Sequence, residues 1–182
     1  MSSVYVCVAP GLEEVECLAV VDMLRRGGVR VELASMGEEL FVTGSHNITI
    51  KADSMWSEEA CRKADAIFLP GGMPGTKHLA NHEGLGRVIR EFDREGKVLA
   101  AICAAPSVLG KYGCLDGRRA TCYPGFEDQL GKAVHTSDGV VCDGHVVTGR
   151  GVGFAVDEGL ELLRILEGAE VSGRVREAIQ HP

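Results

Sequence analysis

The sequence predicts an α/β fold with a mostly parallel sheet that is covered by helices on both faces. Short apolar runs alternate along the chain with longer amphipathic segments, which favours this class. A strand over 4–9, a helix over 12–26 and a strand over 29–34 form a β-α-β unit, which predicts a parallel, right-handed crossover. No linker, repeat or low-complexity segment interrupts the chain, so we expect one domain over residues 1–182.

The first helix has clear signals at both ends. Acidic residues occupy its first turn and basic residues its last turn, as the helix dipole favours. Gly27-Gly28 then ends it. These signals support a helix between two strands rather than one long buried element.

The middle of the chain continues the alternation. The predicted elements are a hairpin of strands 40–43 and 47–51 around the turn Gly44-Ser45-His46, a short helix over 57–63, a strand over 64–69, a helix that breaks near Asn81 and resumes over 83–95, a strand over 98–102 and a helix that ends near 112. The apolar run at 98–102 fits a strand buried on both faces, although periodicity alone does not exclude a buried helix.

The last third is predicted as short strands followed by two helices. The strands lie at 119–122, 133–136, 140–142 and 145–148, and the helices at 151–167 and 171–179. Asp143-Gly144 is a hairpin signal between the last two strands. In a parallel sheet, sites form at the carboxyl ends of the strands, so we examined the residues that follow each strand.

Composition excludes several functional classes. The net charge is −7, and no basic patch typical of nucleic-acid or membrane-surface binding occurs. No apolar run approaches the roughly 20 residues that span a bilayer, and the first ten residues have no basic leader region. Seven cysteines without a C-x-x-C pair indicate reduced thiols, so we expect a cytoplasmic protein.

Neither a metal nor a cofactor is expected. His78 and His82 are four residues apart but lack the H-E-x-x-H pattern, so they are interpreted as a solvated helix face. The run from Gly149 to Gly153 reads G-x-G-x-G rather than G-x-G-x-x-G, and no later strand supplies the acid that a dinucleotide site needs. No phosphate-binding P-loop motif occurs.

Cys103 is the leading candidate for a reactive residue. It lies between the apolar run at 98–102 and a segment, Ala104-Ala105-Pro106, that suits the start of a helix. A strand–Cys–helix junction resembles the nucleophile elbow of hydrolases with Cys in place of Ser. The positive end of the helix favours thiolate over thiol. An inert, buried cysteine is the alternative, and the junction argues against it.

Glu16 is the predicted partner of Cys103, because it lies one turn into the helix that follows the first strand. A carboxyl facing a thiolate has a raised pKa, so it can hold a proton and shuttle it. Glu16 could equally be a simple acid at a helix N-terminus. Gly71 and Gly72 can bring backbone N–H groups near the sulfur, where they form an oxyanion hole with Ala104; the alternative is an ordinary turn.

At these positions the sequence resembles the ThiJ/PfpI superfamily, on the branch of the Parkinsonism-associated protein deglycase (DJ-one). The resemblance covers almost the whole chain. Its motifs are G-L-E-E-V-E at 11–16, D-M-L-R-R-G-G at 22–28, L-P-G-G at 69–72, A-A-I-C-A-A-P at 100–106 and T-G-R-G-V-G at 148–153. Together and in this order these motifs are highly specific.

The resemblance implies a flavodoxin-like three-layer sandwich, related to class I glutamine amidotransferases, and a homodimer. It also implies that Cys103 is the reactive cysteine, that Glu16 is its protonated partner, and that Gly72 and Ala104 supply the oxyanion N–H groups. The implied activities are glyoxalase chemistry without glutathione, deglycation of methylglyoxal adducts, oxidative-stress sensing through Cys sulfinate, and chaperone-like behaviour.

The sequence departs from related branches in informative ways. Ala104 stands where PfpI-type peptidases have His, and neither His135 nor His145 has the His-x-Glu pattern of the amidotransferases, so a His-based triad is not supported. Tyr123 replaces a His that the deglycase branch often has near the cysteine, and His46 is the basic residue in the hairpin. We therefore expect Gly71, Tyr123 and His46 to affect substrate binding.

The leading hypothesis is an enzyme that acts on methylglyoxal, glyoxal or their adducts. The Cys103 thiolate adds to the aldehyde and Glu16 moves protons, so small reactive aldehydes or glycated adducts are the expected partners. The second hypothesis is an oxidative-stress sensor or chaperone that operates through oxidation of Cys103. A peptidase is the least favoured reading, because of Ala104.

Overall fold

The computed structural model describes residues 1–182. The strands are β1 (Ser3–Val8), β2 (Arg30–Ser35), β3 (Phe41–Thr43), β4 (Thr49–Lys51), β5 (Ser54–Met55), β6 (Ala66–Leu69), β7 (Val98–Ile102), β8 (Arg119–Ala120), β9 (Val134–His135), β10 (Val140–Asp143) and β11 (Val146–Gly149). The helices are α1 (Glu14–Arg26), α2 (Glu58–Arg62), α3 (Gly75–Asn81), α4 (Glu83–Glu95), α5 (Pro106–Lys111), α6 (Ala155–Glu167) and α7 (Ala169–Ala178). No helix is both long enough and apolar enough to cross a membrane.

One seven-stranded sheet organises the chain, in the order β10-β11-β7-β6-β1-β2-β5. All of its neighbouring pairs are parallel except the β10–β11 hairpin, in which Val141 pairs with Thr148. The interior strand β1 pairs with β2 on one side and β6 on the other. The carboxyl ends of β1, β6 and β7 therefore meet at one edge, where the predicted site residues follow them.

The sheet separates two hydrophobic cores, which gives three layers. In β1, Val4, Val6 and Val8 face the core that includes α1 and α6. Tyr5 and Cys7 alternate with them and face the opposite core, which includes α4 and α5. Both sets are almost fully buried, so the strand is apolar throughout rather than alternating with polar residues. This arrangement confirms the predicted α/β sandwich with helices on both faces.

The ends of α1 place its first turn at the site. Glu13 is the N-cap, and its carboxylate accepts the N–H of Glu16 at 2.6 Å. The helix therefore begins at Glu14, two residues later than predicted. At the other end Gly28 has φ = +83°, a left-handed conformation that suits glycine. Fixing the N-terminal turn in this way directs the Glu16 side chain toward the end of β6.

Several predicted boundaries need correction in the last third. The strands predicted at 119–122 and 133–136 shrink to the two-residue β8 and β9, because the chain turns after Ala120 toward the end of β7. There the N–H of Thr121 donates to Thr148 Oγ1 at 3.0 Å. A 3-10 turn over Val152–Phe154 precedes α6, so that helix begins at Ala155 rather than 151. The short edge strand β5 was not predicted.

Candidate functional site

Cys103 lies directly after β7 in a strained backbone conformation. Its φ is +64°, a left-handed value that residues with a Cβ rarely adopt. Two backbone hydrogen bonds hold it there: its N–H donates to Gly149 O at 2.8 Å, and its C=O accepts the N–H of Tyr123 at 2.8 Å. The neighbouring strand β11 and the 121–126 turn thus fix the sharp strand-to-helix junction that the sequence predicted.

The sulfur of Cys103 is surrounded by hydrogen-bonding groups. The backbone N–H groups of Gly72 and Ala104 and the carboxyl group of Glu16 lie close enough to the sulfur to affect its ionisation. Gly72 has φ = +87°, and a Cβ there would come within 2.3 Å of the backbone nitrogen of Glu13. Only glycine fits this position, because it has no side chain and readily adopts a left-handed conformation.

Glu16 is buried, with 1% of its surface exposed, and a backbone contact aligns its carboxyl group. The N–H of Gly71 donates to Glu16 Oε2 at 3.0 Å. A Cβ at Gly71 would lie 2.5 Å from that oxygen and 2.6 Å from the Cβ of Cys103, so glycine lets the two side chains meet. The N–H of Gly71 thus binds Glu16, and the expected role of Gly71 in substrate binding is untested.

The ionisation of Glu16 and Cys103 is set by burial and by their proximity. Burial is the main reason that the pKa of Glu16 rises to about 7, with a contribution from Glu13. Burial, followed by the Glu16 carboxylate, raises the pKa of Cys103 to about 12, although the N–H groups of Ala104 and Gly72 oppose the rise. The helix end alone therefore does not produce a thiolate, contrary to the sequence-based expectation.

Together the two groups hold a single proton over a wide range of pH. The first proton leaves the pair near pH 7 and the second near pH 12. Within that range, moving the proton from Cys103 to Glu16 yields a thiolate beside a neutral carboxyl group, and the pair carries one negative charge before and after the transfer. The arrangement is thus suited to a nucleophile whose own proton acceptor lies in contact with it.

His46 lies on the turn between β3 and β4, beside the start of α1. Its N–H donates to Glu14 Oε1 at 2.8 Å, and its Nδ1 lies 3.0 Å from Glu14 Oε2. The imidazole is mostly exposed, and its contact with Glu14 raises its pKa. The structure thus shows His46 joining the hairpin to α1, and its expected role in substrate binding is untested.

Tyr123 lies on the other side of Cys103 and is half exposed. Its backbone N–H holds the carbonyl of Cys103, as described above. Its ring lies 3.5 Å from where a Cβ of Gly151 would be, and together with Phe154 it lines a surface cavity of about 290 Å³. The side chain is therefore exposed beside this cavity, and its expected role in substrate binding is untested.

One cluster has ligand atoms close enough for a metal ion. Glu13, Glu14 and His46 place these atoms within 4.8 Å of one another. The Glu14 carboxylate, however, already accepts the N–H groups of His46 and Ile48, and the Glu13 carboxylate caps α1. These carboxylates are accounted for by the fold, so the cluster supplies no argument for a metal.

Sequence reasoning missed Glu158. This residue of α6 is fully buried, and neither of its carboxylate oxygens has a hydrogen-bond partner. A Cβ at Gly149 would lie 2.0 Å from Glu158 Oε2, so the carboxyl group fills the space beside the glycine whose carbonyl holds Cys103. On an amphipathic helix an acid normally indicates the solvated face, and no signal in the sequence marked this one as buried.

Comparison with known proteins identifies the family. Residues 2–165 match the sequence profile of the DJ-1/PfpI family. The chain belongs to this family. The predicted membership of the ThiJ/PfpI superfamily is therefore confirmed. One of the motifs that predicted it contains Cys103, the strained cysteine after β7.

Individual family members agree with this assignment. "Glutathione-independent glyoxalase DJR-1.2" of Caenorhabditis elegans is 32% identical over 160 residues, covering 87% of this chain and 84% of the relative. The solved structure "Toxoplasma gondii DJ-1, oxidized" superposes with a TM-score of 0.92 at 32% identity, covering 99% of this chain and 98% of the other. The flavodoxin-like three-layer fold is therefore established.

Other relatives are much longer than this chain. "Protein DJ-1 homolog B" of Arabidopsis thaliana is 38% identical over 169 residues, which covers 92% of this chain but 39% of the relative. The chain thus spans about two fifths of that relative's length, and the whole-protein activity of such members does not transfer to it directly.

Proposed function

We propose that the protein is a cysteine-dependent glyoxalase or deglycase that acts on methylglyoxal, glyoxal or their adducts without glutathione. The observation that supports this most directly is the contact of the strained Cys103 with Glu16. It combines a nucleophile, a proton carrier and two N–H donors, from Gly72 and Ala104, at one sulfur. The name of the C. elegans relative agrees with this chemistry.

The first step forms a covalent adduct. With the shared proton on Glu16, the sulfur lone pair of Cys103 forms a C–S bond to the aldehyde carbon. The π electrons of the carbonyl move to its oxygen, which takes the proton from Glu16 and becomes the hydroxyl of a hemithioacetal. The N–H groups of Gly72 and Ala104 stabilise the negative charge that develops on this oxygen.

The second step moves hydrogen between the two substrate carbons. The Glu16 carboxylate takes the proton from the former aldehyde carbon and delivers it to the neighbouring carbon through an enediol. The hydroxyl proton passes from the first oxygen to the second, which leaves an S-lactoyl thioester. Water then cleaves the C–S bond, releasing lactate and the Cys103 thiol, so that methylglyoxal plus water balances lactic acid.

Lactate formation from methylglyoxal in the absence of any thiol tests this proposal. We expect the wild type to turn over, and a Cys142→Ser variant to retain its rate, because Cys142 lies on β10 away from Glu16. Mass spectrometry of the quenched reaction should place the substrate adduct on Cys103. A folded wild-type protein that forms neither lactate nor this adduct would exclude the proposal.

A second candidate function is an oxidative-stress sensor or chaperone. It is favoured by the half-buried sulfur of Cys103 and by a related structure that is described as oxidised. In this reading the wild type produces no lactate, while mild peroxide oxidises Cys103 before the other six cysteines. Slower oxidation of Cys103 than of Cys142, the other partly exposed thiol, would argue against the sensor.

We also propose that the protein is a homodimer in the cytoplasm. Apolar side chains are exposed on α1 and on the adjoining hairpin, namely Val15, Leu18, Phe41 and Ile48. The contacts of Glu14 with His46 and Ile48 bring these two elements together, so the side chains form one candidate interface. Seven free cysteines suit a reducing compartment.

Sedimentation at micromolar concentration tests the dimer. The wild type should sediment as a dimer, and Leu18→Glu should shift it toward monomer, because a charge would be buried without a partner in the interface. Val134→Glu is the matched control, since Val134 is similarly exposed but lies on β9. A monomeric wild type, or equal effects of both substitutions, would rule out this interface.

A further inference from the structure

A cavity of about 260 Å³ lies between the helices that follow β6 and β7. It is formed where α3, α5 and the 3-10 turn Glu127–Gln129 come together. Its walls include the apolar side chains of Met73 and Phe126 and the polar side chains of Thr76, Lys77, Ser107 and Gln129. Its volume is close to the lower end of the range for small-molecule pockets, about 300–1,000 Å³.

Two of the wall residues are bonded directly to the groups that surround Cys103. The N–H of Thr76 donates to Gly72 O at 2.9 Å. The Oγ of Ser107 donates to Ala104 O at 2.6 Å. Gly72 and Ala104 are also the residues whose N–H groups oppose the rise in the pKa of Cys103. The cavity is therefore one helical turn away from the place where the covalent adduct forms.

A charged group at the cavity has no partner in the fold. The nearby hydroxyl of Thr76 also lacks a hydrogen-bond partner, but its Oγ1 is fully buried, so a ligand in the cavity does not reach it. Lys77 is exposed at the cavity mouth and takes part in none of the ion pairs of the structure. An unpaired ammonium group favours a carboxylate.

We propose that this cavity, which we call the carrier subsite, binds the thiol or amine part of a glycated adduct, and that Lys77 selects carriers that bear a carboxylate. The inference rests on the proposed function, because it assumes that Cys103 attacks the former aldehyde carbon of the adduct. The new C–S bond forms as the bond from that carbon to the carrier breaks, and the carrier takes the proton from Glu16 and leaves as a free thiol or amine. The apolar walls at Met73 and Phe126 contact the aliphatic part of the carrier. Methylglyoxal alone has no carrier and does not use the subsite.

A matched pair of substrates tests the carrier subsite. The hemithioacetals of methylglyoxal with N-acetylcysteine and with N-acetylcysteine amide have nearly the same size, but only the first has a carboxylate. With free aldehyde held equal, we expect the wild type to favour the carboxylate-bearing adduct about threefold to fivefold in kcat/KM, the range that a solvent-accessible ion pair supports. Lys77→Gln should abolish this preference and leave turnover of methylglyoxal unchanged.

Lys63→Gln is the matched control, because it removes the same charge from α2, where Lys63 pairs only with Glu59. It should keep the full preference. An independent readout is alkylation of Cys103 by 4-maleimidobutyrate and by its amide, which requires no turnover. If methylglyoxal is not converted, the proposed function fails. The ratio of the rates at which 4-maleimidobutyrate and its amide alkylate Cys103 then tests the carrier subsite by itself. If neither readout depends on Lys77, the carrier subsite is excluded.

Discussion

Glu16→Gln is expected to lower kcat for lactate formation from methylglyoxal by about two to four orders of magnitude, the contribution of a well-placed general acid–base group. The amide has almost the same shape as the carboxyl group and can still accept the N–H of Gly71. It cannot, however, accept the thiol proton or carry a proton between the substrate carbons. Cys103→Ser should abolish measurable turnover, because a hydroxyl is a far weaker nucleophile than a thiol at neutral pH.

The pH dependence gives this prediction a second, independent readout. The singly protonated pair is the reactive form, and it appears as pH rises through the pKa of Glu16, about 7. The wild-type kcat/KM should therefore increase with pH across that value and then remain level, since the second proton leaves only near pH 12. In the Glu16→Gln variant this rise of kcat/KM near pH 7 should be absent.

The same substitution should make the Cys103 thiol easier to ionise. In the wild type the Glu16 carboxylate is the second largest cause of the raised thiol pKa, after burial. Replacing it with a neutral amide removes the like charge, so the thiol pKa should fall, as followed by alkylation rate against pH. Glu59→Gln, on the exposed face of α2, is the control and should change neither rate nor pKa. An active Glu16→Gln enzyme with an unchanged pH profile would contradict the proposed mechanism.

The sequence was sufficient to predict the strand–Cys–helix junction, because the junction depends on a local pattern. An apolar run that ends in Cys103 before Ala-Ala-Pro marks a strand and the start of a helix. Glu16 was a candidate partner because parallel strands bring their carboxyl ends to one edge, but the residues alone left it open, and the family resemblance favoured it. The element order and both faces of the sheet followed from the same alternation of apolar segments.

Other features depend on contacts between distant segments, which no local pattern encodes. The chain leaves β8 after Ala120 because Thr121 and Tyr123 are held by Thr148 and by the carbonyl of Cys103. The protonation of Cys103 depends first on burial of the thiol itself and then on the Glu16 carboxylate beside it, and the helix dipole alone suggested the opposite direction. How deeply a charged group is buried depends on the tertiary structure, so its effect on the pKa could not be predicted from the sequence.

Glu158→Met is expected to stabilise the protein by about 1–3 kcal/mol at pH 7, because it removes a buried polar group that has no hydrogen-bond partner. Met has nearly the same length and is flexible enough to fill the space beside Gly149 and Ile102. Urea denaturation of the two proteins at a common protein concentration provides the measurement.

The pH dependence of this effect follows from the direction of the shift. Complete burial, together with the nearby Glu16, raises the pKa of Glu158 well above its ordinary value, so the folded protein retains a proton that the unfolded chain loses above about pH 4.3. Stability from this group is therefore complete below that value and is lost as pH rises toward the folded pKa. The advantage of Glu158→Met should accordingly grow between pH 5 and pH 8.

Glu16 also makes the free energy of unfolding decrease as pH rises up to about pH 7, since its pKa is also raised. That contribution is common to both proteins, so the difference between them isolates Glu158. Glu170→Met is the control: Glu170 is largely exposed and pairs with Arg174, and its replacement should change stability by less than about 0.5 kcal/mol at any pH. A Glu158→Met protein that is less stable, by an amount independent of pH, would mean that the buried carboxyl group has a stabilising partner in solution.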